Sequence, residues 1–338
     1  MCRAVIITNM AATGKDLSPA DAVQKLFNAV DEGDPRQVIF CMRKITEQAF
    51  FNLGPTLLQK AALLGHFRIL KLFLDLKLDQ SSAHVDSRNA QLLTSLHIVC
   101  TEGHTKCAEF LLSRGADVNA VDFDNRTPLY FASHNGHIEC IEELFKNNAS
   151  VDLARYGGWT PLHEATRFGY IECMKKLIEQ GADVYAVSDD SSWTPGHLAA
   201  SNGKLECLQL LIQCGIDIEA KGGPYHASTL LHEAAHMGHL DCVILLLENG
   251  ADALALNGRG ELALHLATRQ GHQKTLKVLL QHYQKIDCSF VVNAFPKEPP
   301  SSENSNVRIS RNTALHSASF HGHERCVEIS CGMELCIL

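Results

Sequence analysis

Five stretches of the chain lie over one another in register. They are "TSLHIVCTEGHTKCAEFLLSRGADV" from Thr94, "TPLYFASHNGHIECIEELFKNNASV" from Thr127, "TPLHEATRFGYIECMKKLIEQGADV" from Thr160, "TPGHLAASNGKLECLQLLIQCGIDI" from Thr194 and "TLLHEAAHMGHLDCVILLLENGADA" from Thr229. Their starts are 33, 33, 34 and 35 residues apart. Less tidy copies begin at Leu262 and Thr313, and two degenerate ones precede the set, from Leu26 and Thr56. A glycine marks the middle of every copy: Gly33, Gly65, Gly103, Gly136, Gly169, Gly203, Gly238, Gly271 and Gly322. A fixed period of this length means a repeat architecture, in which no copy can bury its apolar face alone and neighbours must stack.

Each copy reads as two short antiparallel helices. Thr127, Thr160 and Thr194 can N-cap the first, and the proline that follows suits its first position. The mid-repeat glycine ends that helix, where a left-handed residue is wanted. The second helix carries apolar residues three and four apart, as in Ile171, Met174, Leu177 and Ile178. It stops at Gly115, Asn148, Gly181, Gly215 or Gly250; Asn tolerates left-handed geometry better than other non-glycine residues.

The T-P-L-H-x-A motif at this period resembles the ankyrin repeat, over nearly the whole chain. The resemblance implies an all-α ankyrin-repeat solenoid of stacked helix-turn-helix units with β-hairpin fingers. We count about nine units, five of them clean. It further implies inner helices lining a concave face that binds other proteins, and it brings no catalytic residues. The expected layout is an N-terminal segment over 1–17, the solenoid over 18–283, a polar Pro/Ser-rich insertion over 284–311, and an incomplete last repeat with tail over 312–338.

Within this register a second motif must be judged. His232-Glu233-x-x-His236 has the spacing of a zinc peptidase, in which two histidines one turn apart hold the metal and the glutamate is the general base. His232, however, fills the same slot as His97, His163, His197, His265 and His316, a histidine that in ankyrin repeats is structural. Glu233 has a twin in Glu164, followed by Arg167 where His236 would be. The zinc peptidase is therefore the least favoured reading; no catalytic residue, cofactor or metal is expected.

The cysteines follow the repeat too. Cys107, Cys140, Cys173, Cys207, Cys242 and Cys326 each lie four residues after the mid-repeat glycine. Such a slot wants a small apolar side chain, which a buried free thiol supplies. With 13 cysteines and no signal-peptide pattern at the N-terminus, reduced thiols and a cytoplasmic or nuclear location are expected. No apolar run approaches the roughly 18 residues of a membrane span. A net charge of −8 without a basic run argues against a nucleic-acid partner. The partner is thus expected to be protein, with no membrane involved, and the chain itself to be monomeric.

Candidate contact residues fall in the slots that vary. Phe123, Arg155 and Tyr156 lie near finger tips, with Tyr225 in another finger. Trp159 and Trp193 precede a capping threonine and either pack locally or touch a partner. On the inner helices the exposed slots include Phe131, His134, Arg167, Phe168, Glu233, His236, Met237, Arg269 and Gln270. Aromatic and arginine side chains are enriched in binding hot spots, and this mixture implies a partner with some acidic residues. Leu111 with Asp117-Val118-Asn119 resembles the asparagine site that an oxygen-dependent hydroxylase modifies in some ankyrin proteins, which nominates Asn119.

Three breaks in the pattern carry expectations. Gly196 replaces the usual leucine and should leave a softer packing layer. Tyr283 stands where a helix-ending glycine is missing, and the next repeat starts 51 residues after Leu262; the 18 extra residues read as a loop that is mobile or bound to a partner. After Cys326 come Ser330, Cys331 and Gly332, which should break the second helix of the last unit and make the tail a truncated or alternative end.

The leading function is a non-enzymatic scaffold or adaptor that uses its concave face between Thr94 and Gly250. The alternative is the substrate-recognition subunit of a cullin-type ubiquitin ligase. Units with the "GHxxC" pattern are frequent in ankyrin proteins that carry a C-terminal SOCS box. No such box is read after the last repeat, and the chain is expected to end about where one begins.

Overall fold

The computed structural model describes residues 19–45, 47–75, 85–189, 192–223, 227–285 and 318–334. The chain divides into two compact bodies, residues 1–155 and 156–338.

In the first body, eight helices form four pairs: α1 (Pro19–Asp31) with α2 (Pro35–Met42), α3 (Glu47–Leu63) with α4 (Phe67–Asp75), α5 (Ser95–Glu102) with α6 (Thr105–Ser113), and α7 (Pro128–Asn135) with α8 (Ile138–Lys146). The first helix of each pair packs on the first helix of the next, and the second on the second, so two layers run side by side. The second body repeats this arrangement with α9 (Pro161–Phe168), α10 (Ile171–Glu179), α11 (Pro195–Ser201), α12 (Leu205–Gln213), α13 (Leu230–Met237), α14 (Leu240–Glu248), α15 (Ala263–Arg269), α16 (Gln273–Lys285) and α17 (Glu324–Glu334).

Local chemistry sets the ends of these helices. Thr94, Thr127, Thr160 and Thr194 have extended backbone and accept the third helical N–H, a cap that contributes about 1 kcal/mol. All nine mid-repeat glycines have positive φ, from 64° at Gly203 to 86° at Gly169. Asn148 ends α8 with φ 62°, as the glycines end the other second helices. The interior is built from slots: Leu111, Leu144, Leu177, Leu211 and Leu246 occupy one position of the second helix and are fully buried, each contributing roughly 1.5–3 kcal/mol.

Three expectations change, and one break in the pattern, the third below, gains its physical account. First, among the described residues the fingers form no regular strand; Gly222 and Ser228 make the one antiparallel bridge seen there. Turns do the work instead, through bonds such as Asp122 N–H to Arg126 O and Asn257 N–H to Glu261 O. Second, Gly196 leaves no soft layer. A Cβ there would meet Ile216 Cδ1 at 2.9 Å and Leu230 Cδ2 at 3.0 Å, so these two side chains already fill the space.

Third, without a glycine stop α16 runs for 13 residues, against nine in α14. Tyr283 turns inward, fully buried, and its hydroxyl donates to Ala253 O at 2.7 Å. Fourth, α17 continues through Ser330, Cys331 and Gly332. One glycine costs a helix only about 1 kcal/mol, and Ser330 is small enough to be fully buried. The Pro/Ser-rich segment from 286 onward and residues 1–17 lie outside the described residues, as does Tyr225.

Candidate protein-interaction surface

The recurring polar residues are consumed by the fold. In the second body the backbone N–H of Thr160, Thr194 and Thr229 donates to Nδ1 of His163, His197 and His232 at 3.2, 3.3 and 3.2 Å. Because Nδ1 accepts, Nε2 carries the proton, and it donates to Trp193 O, Ser228 O and Glu261 O at 3.1, 3.1 and 3.0 Å. His97 does the same in the first body, bonded to Thr94 N–H and Arg126 O. Burial pushes His97 and His232 down to about 4, and lowers His163 and His197 as well. A neutral His232 with both nitrogens engaged has no lone pair to offer a metal. The His-Glu-x-x-His spacing therefore joins a structural histidine to a variable one.

A second histidine set was not anticipated from sequence. Where a histidine follows the mid-repeat glycine, as His66, His104, His137, His239, His272 and His323 do, its ring packs on the glycine of the preceding repeat; against Gly169 the stem of Lys204 takes that place. His137 donates from Nε2 to Thr101 O and His272 to His236 O, both at 3.0 Å. A Cβ on Gly103 would come within 2.7 Å of His137 Cε1, and one on Gly238 within 2.6 Å of His272 Cε1. The glycines are thus required twice, for backbone angle and for ring contact. The signal available in sequence is the recurrent Gly-His pair.

The slot cysteines Cys107, Cys140, Cys173, Cys207, Cys242 and Cys326 are buried free thiols. Burial pushes Cys107, Cys207 and Cys242 up to about 11. Cys140 moves the other way, because hydrogen bonds from Cys100 and Thr105 favour its thiolate.

The variable slots remain open. In the first body Phe123 is 57% exposed. The Arg126 guanidinium lies over both Phe123 and Phe131, 5.8 and 4.9 Å from the ring centroids. Buried Asp122 holds that guanidinium from below, with Arg126 Nε donating to its Oδ2 at 2.9 Å. Tyr130 stacks on His134, and its hydroxyl accepts from Arg155 Nε at 3.0 Å. The structure thus brings Phe123, Phe131, His134 and Arg155 together around Arg126 and Tyr130, two residues sequence reasoning missed. Asn119 sits in the adjoining turn, where its Oδ1 accepts from Ser150 N–H at 2.9 Å.

In the second body Tyr156 is 66% exposed and Met237 48%. Arg167 lies over the Phe168 ring, which stacks on Tyr170. Trp159, only 9% exposed, rests against His163, and Trp193 stacks on His197; both pack locally. Glu233 and His236 open onto a cleft of about 340 Å³. Its other walls are Ser228, Leu266 and three residues not foreseen as a group: Asn257, Arg259 and Arg269. Arg269 is ion-paired to Glu261 at 2.7 Å. No helix among the described residues is long and apolar enough to cross a membrane.

Comparison with known proteins agrees with this architecture. Two family models match: "Ankyrin repeats (3 copies)" at residues 120–188, 157–222 and 197–292, and "Ankyrin repeats (many copies)" at residues 58–112 and 96–142. The crystal structure of the human ASB11 ankyrin repeat domain is similar over 72% of this chain and 99% of that one, with TM-score 0.60 and 27% identity. Human protein phosphatase 1 regulatory subunit 27 is 41% identical over 101 residues, which is 29% of this chain and 62% of that protein. The Drosophila melanogaster transient receptor potential cation channel subfamily A member 1 is 30% identical over 107 residues, 31% of this chain and 9% of the channel. The chain thus spans less than two thirds of these curated relatives. With matches running from residue 58 to residue 292, the chain belongs to the ankyrin-repeat family of protein-interaction modules.

Proposed function

We propose that the chain is a non-enzymatic scaffold or adaptor that docks a protein partner through the variable positions of its repeats. These are Phe123, Phe131, His134 and Arg155 in the first body, and Tyr156, Arg167, Phe168, Glu233, His236 and Met237 in the second. One observation carries this reading. The recurring histidines, threonines and cysteines are engaged or buried by the fold, whereas large apolar side chains stay exposed at slots that vary, Phe123 and Tyr156 among them. Exposed aromatics beside arginines are the composition of binding hot spots.

The test is affinity capture from cells with the intact chain and with a Phe123→Ala/Tyr156→Ala form. Trp159 is left alone, because its removal would unsettle the fold. A partner retained by the first and lost by the second supports the docking role; identical partner sets on both would sink it. Mass spectrometry of the captured chain reports on Asn119, where hydroxylation adds one oxygen.

A second reading, the substrate-recognition subunit of a cullin-type ubiquitin ligase, is favoured by the likeness to the ASB11 domain. Elongin and cullin in the captured set would promote it. Recovery of protein phosphatase 1 instead would align the chain with the regulatory subunit it resembles.

A further inference from the structure

Charge is sorted to one place on the first helices of the second body. Arg167, Ser201, His236 and Arg269 each lie seven residues after the start of their repeat, in the last turn of α9, α11, α13 and α15. These helices pack in that order, so the four positions form a row. The same helices carry two carboxylates, Glu164, which is buried, and Glu233, which is half-buried. A basic last turn suits the helix dipole. The dipole does not account for Arg259, which enters from the finger before α15 and lines one cleft with His236 and Arg269. Among the described residues Arg167 and Arg259 form no ion pair, whereas Arg269 donates one of its N–H groups to Glu261. Arg167 and Arg259 therefore carry the uncompensated charge of this face, on a chain whose net charge is −8.

We propose that this row docks an acidic segment of the protein partner, with one of its carboxylates seated against Arg259 in the cleft; this rests on the docking role proposed above and names the partner's chemistry. Neighbouring packed helices lie about 8–10 Å apart, so the row from Arg167 to Arg269 spans roughly 30 Å. An extended segment advances about 3.3 Å per residue and covers that span in about nine residues, three to a repeat. Carboxylates at every third residue therefore match the row. Glu233 lines the same cleft and works against such a guest, so its removal tightens binding. A nucleic acid is the rival anion. Its charges recur about every 3.4 Å along a strand, whereas the row offers one cation per roughly 10–20 Å, too sparse for that ligand.

The test needs no partner. A capped decapeptide with glutamate at every third position and Gly-Ser between is titrated against the full chain, following NMR shifts of residues 160–170 and 229–270. Versions with glutamine or lysine in place of glutamate, and a single-stranded oligothymidylate, are the comparisons. The expected result is saturable binding of the glutamate peptide, about twofold to fivefold weaker in Arg167→Gln and in Arg259→Gln, and tighter in Glu233→Gln. Lys277→Gln changes the net charge equally from an exposed position on α16, outside the row, and should bind as the wild type does. Attraction to the chain's overall charge would instead favour the lysine peptide. Equal affinity for the glutamine peptide, preference for the lysine peptide or the oligothymidylate, unchanged affinity in the arginine variants, or no saturable shift would each overturn the proposal. Because the peptides report on this row alone, such a failure leaves the capture experiment free to support or reject docking itself.

Discussion

The Nε2–H of His232 donates to the carbonyl oxygen of Glu261 at 3.0 Å, and this bond ties one repeat to the finger of the next. The same ring accepts the Thr229 N–H, so one side chain satisfies two buried backbone groups. His232→Ala strands both, and each stranded group costs about 1–3 kcal/mol. A stability loss of about 3 kcal/mol is therefore expected in urea unfolding. His236→Ala should cost less than about 1 kcal/mol, because the backbone carbonyl that His272 uses remains. Similar losses from both, together with stoichiometric zinc in the wild type that vanishes in His236→Ala, would mean that the two histidines act as a pair.

The buried histidines make stability depend on pH in a definite direction. His97 and His232 sit at about 4 in the fold, against about 6.5 in the unfolded chain. Between those values the unfolded chain binds more protons, so unfolding free energy rises with pH. The contribution is fully present above about pH 6.5, is lost as pH falls toward 4, and changes no further below that. Each histidine is worth about 3 kcal/mol over the whole window. Denaturant midpoints should already drop between pH 7 and about 5.5, before most carboxylates titrate. A flat profile there would mean that these rings are solvated.

Gly238 and Gly250 separate two reasons for a glycine. Both have positive φ, 78° and 87°, so alanine at either costs about 1–2 kcal/mol of backbone strain. A Cβ on Gly250 meets nothing within 4 Å, whereas one on Gly238 runs into the His272 ring. Gly238→Ala should therefore lose at least about 2 kcal/mol more than Gly250→Ala. Equal losses in thermal unfolding would leave the ring contact without energetic weight.

Much of this was legible because repetition averages out local noise. The positions of Gly103, Gly136 and Gly169 identify helix ends without any structure, and the slot shared by Cys107 and Cys140 identifies a buried site. What failed were inferences from single departures. Gly196 read as a missing side chain, but Ile216 and Leu230 reach it from residues 20 and 34 positions on. Ser330-Cys331-Gly332 read as a break, yet three weak helix formers do not outweigh the packing of a whole helix. Trp159 was undecided because either fate suits an indole; its place against His163 is a tertiary fact. Arg126 is absent from the sequence candidates, although the Asp122-x-x-x-Arg126 spacing is legible there, and Asn257-x-x-x-Glu261 repeats it.

Three of the slot thiols, Cys107, Cys207 and Cys242, should be chemically silent in the native chain. Burial raises Cys107, Cys207 and Cys242 to about 11, and only a thiolate alkylates. Iodoacetamide at neutral pH should leave these three unmodified in the folded protein and label them in denaturant. Peptide mapping after a timed pulse reads this directly. Fast native labelling of Cys207 or Cys242 would show that their repeats open far more readily than this packing allows.

Restoring the repeat consensus at Gly196 should harm the protein rather than help it. By sequence alone, Gly196→Leu replaces a poor helix former and supplies a missing core side chain, so a gain is expected. In the fold the site is already occupied: Ile216 Cδ1 and Leu230 Cδ2 lie 2.9 and 3.0 Å from where even a first carbon would sit. Leu230 is fully buried at the start of α13 and Ile216 half-buried in the turn after α12, so neither can withdraw without opening space elsewhere. Overpacking of this kind costs typically 1–3 kcal/mol, about as much as the helix propensity gained or more. Gly196→Leu should thus melt at or below the wild-type temperature. The double change Gly196→Leu/Ile216→Ala should recover part of any loss, because it removes one of the two occupants. A clear rise in melting temperature from Gly196→Leu alone would refute the close packing of this layer.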